Sequence, residues 1–402
     1  MQNKSFNLRA SLAIALILVL SMCFSACADI LGTPDAFLPD NDLDPGTSLG
    51  TFSPDQSQGY YYQQLTPQEK NIYDDLLKKI RNGGNTCTFT NGTYADFSTW
   101  VKRAVYAIHY EHPELFWIAC GYSFSFSQGF LDSPSSCKVT VKEYDFWKYV
   151  SNKKKYIDRL NAEVDKVAAL ANQCKTDYEK VQFVHDYIAL NAFYDFDGLA
   201  EAKKTMADEN SFYIYTAYGC LVNGKTVCSG YAKAFQLIMT KLGFNCIYYT
   251  GHAGGPHGWN CIYLDDQAYW VDITWDDPTH EDSNGNLMYP NEASYEYFCI
   301  NTNELSGTHV PDDLFKAPVC VSSDFGFHEH NGYILDTYDF EKAKQILLQQ
   351  DGKISSIKFS NDAAMNEAYT ELVSNSKIHK IFSGKVSVSC SIPHRIITFY
   401  QK

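Results

Sequence analysis

Basic side chains are in short supply. The 402-residue chain carries 33 Lys and Arg against 47 Asp and Glu, a formal net charge of −14. Phosphate binding needs clustered cations, so no nucleic-acid partner is expected, and the acidity itself serves solubility. Two further absences narrow the field. No two cysteines stand in a C-x-x-C pair, which removes the common paired zinc signature, and no internal repeat is found, which removes repeat architectures. What is present in quantity is apolar. Hydrophobic residues make up 45% and aromatics 15%, with 29 Tyr and 25 Phe. That excludes global disorder and provides for a substantial core, and the length predicts two or three domains.

The first residues read as a targeting segment. Lys4 and Arg9 form a basic start, and Ala10 to Phe24 is an almost unbroken apolar run followed by small residues. The run is short for a membrane span and fits a signal peptide over 1–26. "FSAC" at 24–27 resembles a bacterial lipobox, with Phe24 where Leu is usual, so Cys27 is the expected lipid attachment site. Ordinary cleavage near Ala26 and Ala28, with Cys27 unmodified, is the alternative. Residues 28–59 contain six Asp, four Pro and no Lys or Arg, a composition unable to bury apolar surface. With Cys27, this stretch is expected to be a disordered acidic tether, 27–59. The resulting expectation is an extracytoplasmic protein, lipid-anchored to a bacterial cell membrane. Eleven cysteines follow Cys27; outside the membrane an even set can pair, and an odd number leaves at least one free thiol.

From Tyr60 the texture changes. "LTPQEKNIYDDLLKKI" places Thr66 as an N-cap, Pro67 at the first helical position and Glu69 at the third, with Ile72, Leu76, Leu77 and Ile80 as the apolar stripe. "TWVKRAVYAIHYEHPELFWI" predicts a second helix ending before Pro113, and "SFSFSQGF" and "CKVTVKEYDF" alternate like strands. Helical stretches follow over about 147–173 and in "YEKVQFVHDYIALNAFYD". The expected organisation is a mostly helical region at 60–175, a catalytic domain at 176–310, and a small C-terminal α/β region at 320–402. In the last, "ISSIKFS", a helix near 362–374, "KVSVSC" and "RIITFYQ" form a strand–helix–strand–strand unit.

The chemistry concentrates in "GKTVCSGYAKAF" at 224–235. Tyr231, Ala234, Phe235, Ile238 and Leu242 recur at helical spacing and Gly243 closes the helix. Cys228 therefore sits at a helix N-terminus, where orphan N–H groups and the dipole favour thiolate. Downstream, "GPHGWNCIYLDDQAYWVDITWDDP" offers His257 and Asp272 on two alternating runs joined by Asp265-Asp266 as a turn. With an even loop the two fall on one face as cross-strand or diagonal neighbours, so Asp272 can orient His257 and His257 can stabilise the thiolate. Taken singly, each residue has a structural reading: a small buried cysteine, a loop histidine, a polar residue on a wet sheet face. A zinc site from Cys220, Cys228, His252, His257 and Cys261 matches no common spacing, and no metal or cofactor is expected.

"AYGCLVNGKTVCSGYAKAF", "HGWN" and "YWVDITWDDP" together resemble the bacterial transglutaminase-like superfamily. The resemblance covers about 176–310 and implies an α+β papain-like core, a cysteine helix packed on an antiparallel sheet. It also implies catalytic residues in the order Cys228, His257, Asp272, with Gly258 standing where the family usually has Ala. "TPQEKNIYDDLL" and "HPELFW" resemble the region found ahead of this domain in secreted members. The implied activity is that of a thiol enzyme acting on amide bonds of a protein, peptide or cell-wall peptide through a thioester. That means either a cysteine peptidase or amidase, or an acyltransferase that crosslinks. The Cys228 N–H is the natural first oxyanion donor, with Tyr218 or a neighbour as the second. A non-catalytic binding module on a surface lipoprotein is the alternative from a different class.

Overall fold

The computed structural model describes residues 59–401 apart from 129–134, 145–146, 149, 205–212, 282–286, 290–291 and 351. The expected signal peptide, Cys27 and the tether up to residue 58 lie outside the described residues. Among the described residues no helix is long and apolar enough to cross a membrane.

The N-terminal part starts as its capping signals dictate. Helix α1 (Pro67–Arg81) opens with a full capping box between Thr66 and Glu69, and its stripe residues Ile72, Leu76, Leu77 and Ile80 are buried. After strand β1 (Thr86–Thr90) comes α2 (Tyr94–Glu111), begun by a second capping box at Thr93 and Asp96 and ending two residues before Pro113. Strands β2 (Ile118–Ser127) and β3 (Ser136–Glu143) complete an antiparallel sheet in the order β1-β3-β2. The strand β1 has no counterpart in the sequence-based expectation of a mostly helical region. "TCTFT" is short, and its pairing with β3 is a long-range event without a local signature.

Helices α3 (Lys153–Ala171) and α4 (Asp177–Asn191) then pack against α5 (Cys228–Lys241). The burial of α5 extends nearly all round, including Tyr231, Phe235, Ile238 and Met239, as expected for a helix at the centre of a layered body. Each such side chain contributes roughly 1.5–3 kcal/mol of transfer free energy. One face of α5 lies on β4 (Cys246–His252) and β5 (Pro256–Leu264), to which β6 (Gln267–Val271) is added by a tight hairpin. Asp265 and Asp266 form the turn, both with positive φ (47° and 61°), the two-residue connection that matches strand twist. A short strand β7 (Val310–Pro311) completes the antiparallel sheet in the order β7-β4-β5-β6. This is the α+β papain-like arrangement of a cysteine helix on an antiparallel sheet.

The N-terminal helices and the central sheet share one buried core running from Tyr61 to Phe327. It is stitched by Gln236 Nε2 donating to the Tyr110 carbonyl at 2.9 Å and Tyr61 Oη donating to the Tyr248 carbonyl at 2.5 Å. The C-terminal unit has its own core between Ala343 and Phe399. There β8 (Ile334–Leu335) runs parallel to β9 (Ile354–Phe359), and β10 (Val386–Ser391) and β11 (Ile396–Gln401) follow antiparallel in the order β8-β9-β11-β10. Helices α6 (Phe340–Gln349) and α7 (Asp362–Tyr369) cover this sheet. This unit packs against the central body through Lys358, whose ammonium pairs with Glu304 and with Glu329. The Pro393–His394 turn packs there too: His394 Nε2 meets the Glu304 carbonyl oxygen at 3.0 Å, and its ring lies 4.7 Å from that of Tyr297.

Candidate active site

Cys228 is the first residue of α5, preceded by Val227 in an extended conformation, and is 3% exposed. The strand carrying His257 is fixed to that helix by Asn260, whose buried amide donates to the Ala232 carbonyl at 2.9 Å and to the Ile247 carbonyl at 3.3 Å. The asparagine of "HGWN" is thus a clamp between the cysteine helix and the sheet. A second tie lies closer to the helix start, where Ser229 Oγ and Tyr248 Oη are 2.8 Å apart. Tyr248 reaches that position over Gly258, where a Cβ would sit 2.7 Å from Tyr248 Cε2 and 2.9 Å from its hydroxyl. The ring fills the space that a methyl at 258 would need, so glycine at 258 and tyrosine at 248 go together.

The β5–β6 register pairs Asn260 with Val271, so residue 259 faces 272 and His257 lies two places along on the same face. His257 Nε2 donates to Asp272 Oδ2 at 2.7 Å. Asp272 is 1% exposed, and its other oxygen accepts the N–H of Thr274 at 3.0 Å and of Trp275 at 3.4 Å, the start of the short helix Ile273–Asp276. A further donor, unmarked in the sequence, is His309, whose Nε2 meets the same Oδ2 at 3.1 Å. Burial opposes ionisation of Asp272, but His257 and His309 more than offset it and hold the carboxyl well below the usual carboxylate range. His309 is fully buried, and burial keeps its imidazole below the ordinary histidine value despite the adjacent carboxylate.

His309 gets there because β7 runs tight against β4. At Gly251 a Cβ would lie 2.2 Å from the Val310 carbonyl oxygen and 2.6 Å from the Trp259 ring, so only glycine allows that approach. Beneath the site, Asp276 accepts from His185 Nε2 at 3.2 Å and from the Tyr297 N–H at 2.9 Å. Burial works against a charge on His185, yet Asp186 and Asp276 push its pKa up to about 9, so it is held protonated at neutral pH.

Tyr218, the sequence-based candidate for a second oxyanion donor, is buried with its ring stacked on Phe116 at 5.2 Å and packed against Tyr213 at 4.8 Å. Among the described residues no three of Cys220, Cys228, His252, His257 and Cys261 converge as ligands. The set that does is His257, Asp272 and His309, whose ligating atoms lie within 4.8 Å of one another. Two imidazoles and a carboxylate can hold a divalent cation. Here both Nε2 atoms are already engaged as donors to the carboxylate, so a cation would have to displace those two hydrogen bonds.

The fold around this site is a papain-like α+β core. Residues 165–274 match the family model described as the transglutaminase-like superfamily. Two curated relatives share the segment. The kyphoscoliosis peptidase of Mus musculus is 25% identical over 122 residues, and that of Homo sapiens 26%. The match takes in 27% of this chain and only 17% of either peptidase. Among solved structures, one described as a TGase has 22% identity, covers 38% of this chain and 45% of its own, and has a TM-score of 0.28. A candidate cysteine protease from Cytophaga hutchinsonii has 16% identity, covers 42% and 68%, and has a TM-score of 0.23.

Proposed function

We propose that the protein is a thiol enzyme that attacks amide bonds of a protein, peptide or cell-wall peptide, with Cys228 as nucleophile, His257 as general base and Asp272 as its orienting group. The observation that carries this is the 2.7 Å His257–Asp272 hydrogen bond, on a strand that Asn260 clamps to the helix headed by Cys228. With Nε2 committed to Asp272, Nδ1 is the ring nitrogen that takes the Cys228 proton. The thiolate adds to the amide carbonyl, and the oxyanion takes the Cys228 backbone N–H. The C–N bond then breaks as His257 returns the proton to the leaving amine, leaving a thioester on Cys228. Water resolves it to a free acid, the peptidase or amidase outcome; a second amine resolves it to a new amide, the crosslinking outcome. Asp272, kept ionised, never takes the proton. The lipobox-like "FSAC" extends the proposal to an extracytoplasmic lipoprotein anchored through Cys27.

The test is alkylation of the full chain by iodoacetamide against pH, with mass mapping of the modified residue. Cys228 is expected to react below the ordinary thiol range near 8.5, and His257→Ala to move it up into that range. A Cys228 that titrates ordinarily in both proteins refutes the enzyme reading and leaves the binding-module alternative. Incubating the reactive protein with a glutamine-containing peptide and a labelled amine separates acyl transfer from hydrolysis.

A further inference from the structure

Cys261 and Cys320 face each other inside the protein with their sulfurs 3.8 Å apart, and the proposed chemistry uses neither. We infer that these two residues form a disulfide that staples the irregular segment 312–326 onto the central sheet. The inference takes its oxidising surroundings from the extracytoplasmic reading and its choice of partners from the geometry alone.

Both residues are held in place by other bonds. Strand β5 is paired on both sides, with Cys261 opposite Ile247 on β4 and Trp270 on β6. Cys320 is gripped through its backbone: its N–H donates to Thr302 Oγ1 at 2.8 Å, and its carbonyl accepts the Thr302 N–H at 2.8 Å. Thr302 Oγ1 also accepts the Trp270 Nε1–H at 3.1 Å, which ties that grip to the strand beside Cys261. A disulfide needs the sulfurs at about 2.0 Å, so about 1.8 Å has to be closed, a gap within the swing of two rotating side chains.

What the bond holds accounts for its place. Residues 312–326 lead from β7 to the C-terminal unit without a helix or strand. Cys320 is buried between Val319 and Val321, which are 66% and 76% exposed, so this stretch has little apolar burial of its own to keep it down. The loop that the bond closes runs from 261 to 320 and contains both Asp272 and His309. Cross-linking so long a loop restricts the unfolded chain strongly.

The bond forms before the segment docks. In the folded protein burial, and then the neighbouring Cys320 sulfur, push the Cys261 thiol well above the ordinary range, where too little thiolate is present to attack. In the open chain the thiolate of one cysteine attacks a disulfide oxidant, either glutathione disulfide or the active disulfide of a thiol oxidoreductase. A mixed disulfide forms and one oxidant thiol leaves; the second cysteine then displaces the other. The pair gives up two protons and two electrons, and the oxidant receives them as two thiols. Cys246 and Cys299 are the rival partners, since both lie close enough for charge on the pair to be felt.

The test is oxidative refolding of the full chain. The protein is reduced in urea, refolded with glutathione and glutathione disulfide, blocked with iodoacetamide and digested without reductant by a protease that cuts after aromatic residues. Tyr249, Trp259, Phe298 and Phe315 stand between the four cysteines, so mass mapping reads the pairing directly. The peptide carrying Cys261 is expected joined to the one carrying Cys320, with Cys228 alkylated. Dithiothreitol is expected to lower the melting temperature of this protein by about 5–15 °C, and that of Cys320→Ala by much less; Cys261→Ala serves if the first variant does not fold. Cys261 and Cys320 both alkylated after refolding, either one joined to Cys246 or Cys299, or an equal drop in wild type and variant overturns the inference. None of these results touches the proposed roles of Cys228, His257 and Asp272, and refolding in a defined buffer makes the pairing independent of where the protein resides.

Discussion

Gly258→Ala tests the packing that joins the two halves of the site. The added methyl would lie 2.7 Å from Tyr248 Cε2, 2.9 Å from Oη and 3.2 Å from Cζ, so the ring or the strand must yield. Neither yields freely. The Tyr248 carbonyl is bound by Tyr61 Oη, its ring packs edge-on against Tyr110 at 5.6 Å, and the Lys233 ammonium lies 5.4 Å from the ring centre. Overpacking of this kind costs about 1–3 kcal/mol. Residue 258 lies in an ordinary strand conformation, so the loss of unfolded-chain entropy returns about 0.4–1 kcal/mol. The net expectation is a destabilisation of about 1–2 kcal/mol, read as a lower urea midpoint for the transition of the central body. In a Tyr248→Ala background the same substitution should cost less than about 0.5 kcal/mol, because its obstacle is gone. An unchanged or higher midpoint for Gly258→Ala alone would refute the idea that Tyr248 dictates glycine there.

Three further outcomes follow from the geometry. Because His185 is raised from an unfolded value near 6.5 to about 9, its stabilisation is complete below 6.5 and fades as pH rises through 9. Melting temperature should therefore drop between pH 7 and 9.5 more steeply in wild type than in His185→Gln, and parallel curves would count against a charged buried histidine. Asp272→Asn should slow iodoacetamide alkylation of Cys228 at neutral pH, since His257 loses the carboxylate that orients its ring; an unchanged rate would remove Asp272 from the site. The expressed full-length protein should partition into detergent and carry lipid mass on Cys27; a purely aqueous protein with an unmodified Cys27 would dispose of the anchoring proposal.

What the sequence makes legible is whatever its local chemistry encodes. Thr66, Pro67 and Glu69 announce α1 because a capping box is complete within four residues. The Asp265-Asp266 pair fixes the β5–β6 register, and with it the diagonal placement of His257 and Asp272, because turn length sets parity. His309 is opaque for the opposite reason. It lies 37 residues from Asp272 in the chain, in a stretch without period, and reaches the carboxylate only because β7 pairs with β4. Tyr248 is hidden likewise, since an alternating strand shows which face a tyrosine takes but not which glycine makes room for it. The helix α6 "FEKAKQILLQ" carries an Asp339 cap and a buried stripe of Ala343, Ile346 and Leu347. Its signal is local, yet the sequence-based expectation places no helix there.

The wedge made by Pro393 and His394 bears on how this chain can be divided. The segment carrying the family likeness stops at residue 274, yet Tyr297, Thr308 and His309 lie beyond it, and the C-terminal turn leans on Tyr297 and on the backbone at Glu304. A boundary drawn by likeness alone would leave Asp272 without its second imidazole; one drawn after β7 would strip Tyr297 and the Glu304 backbone of their cover and leave Glu304 without Lys358. The part of this protein that keeps the surroundings of Asp272 covered therefore extends through β11.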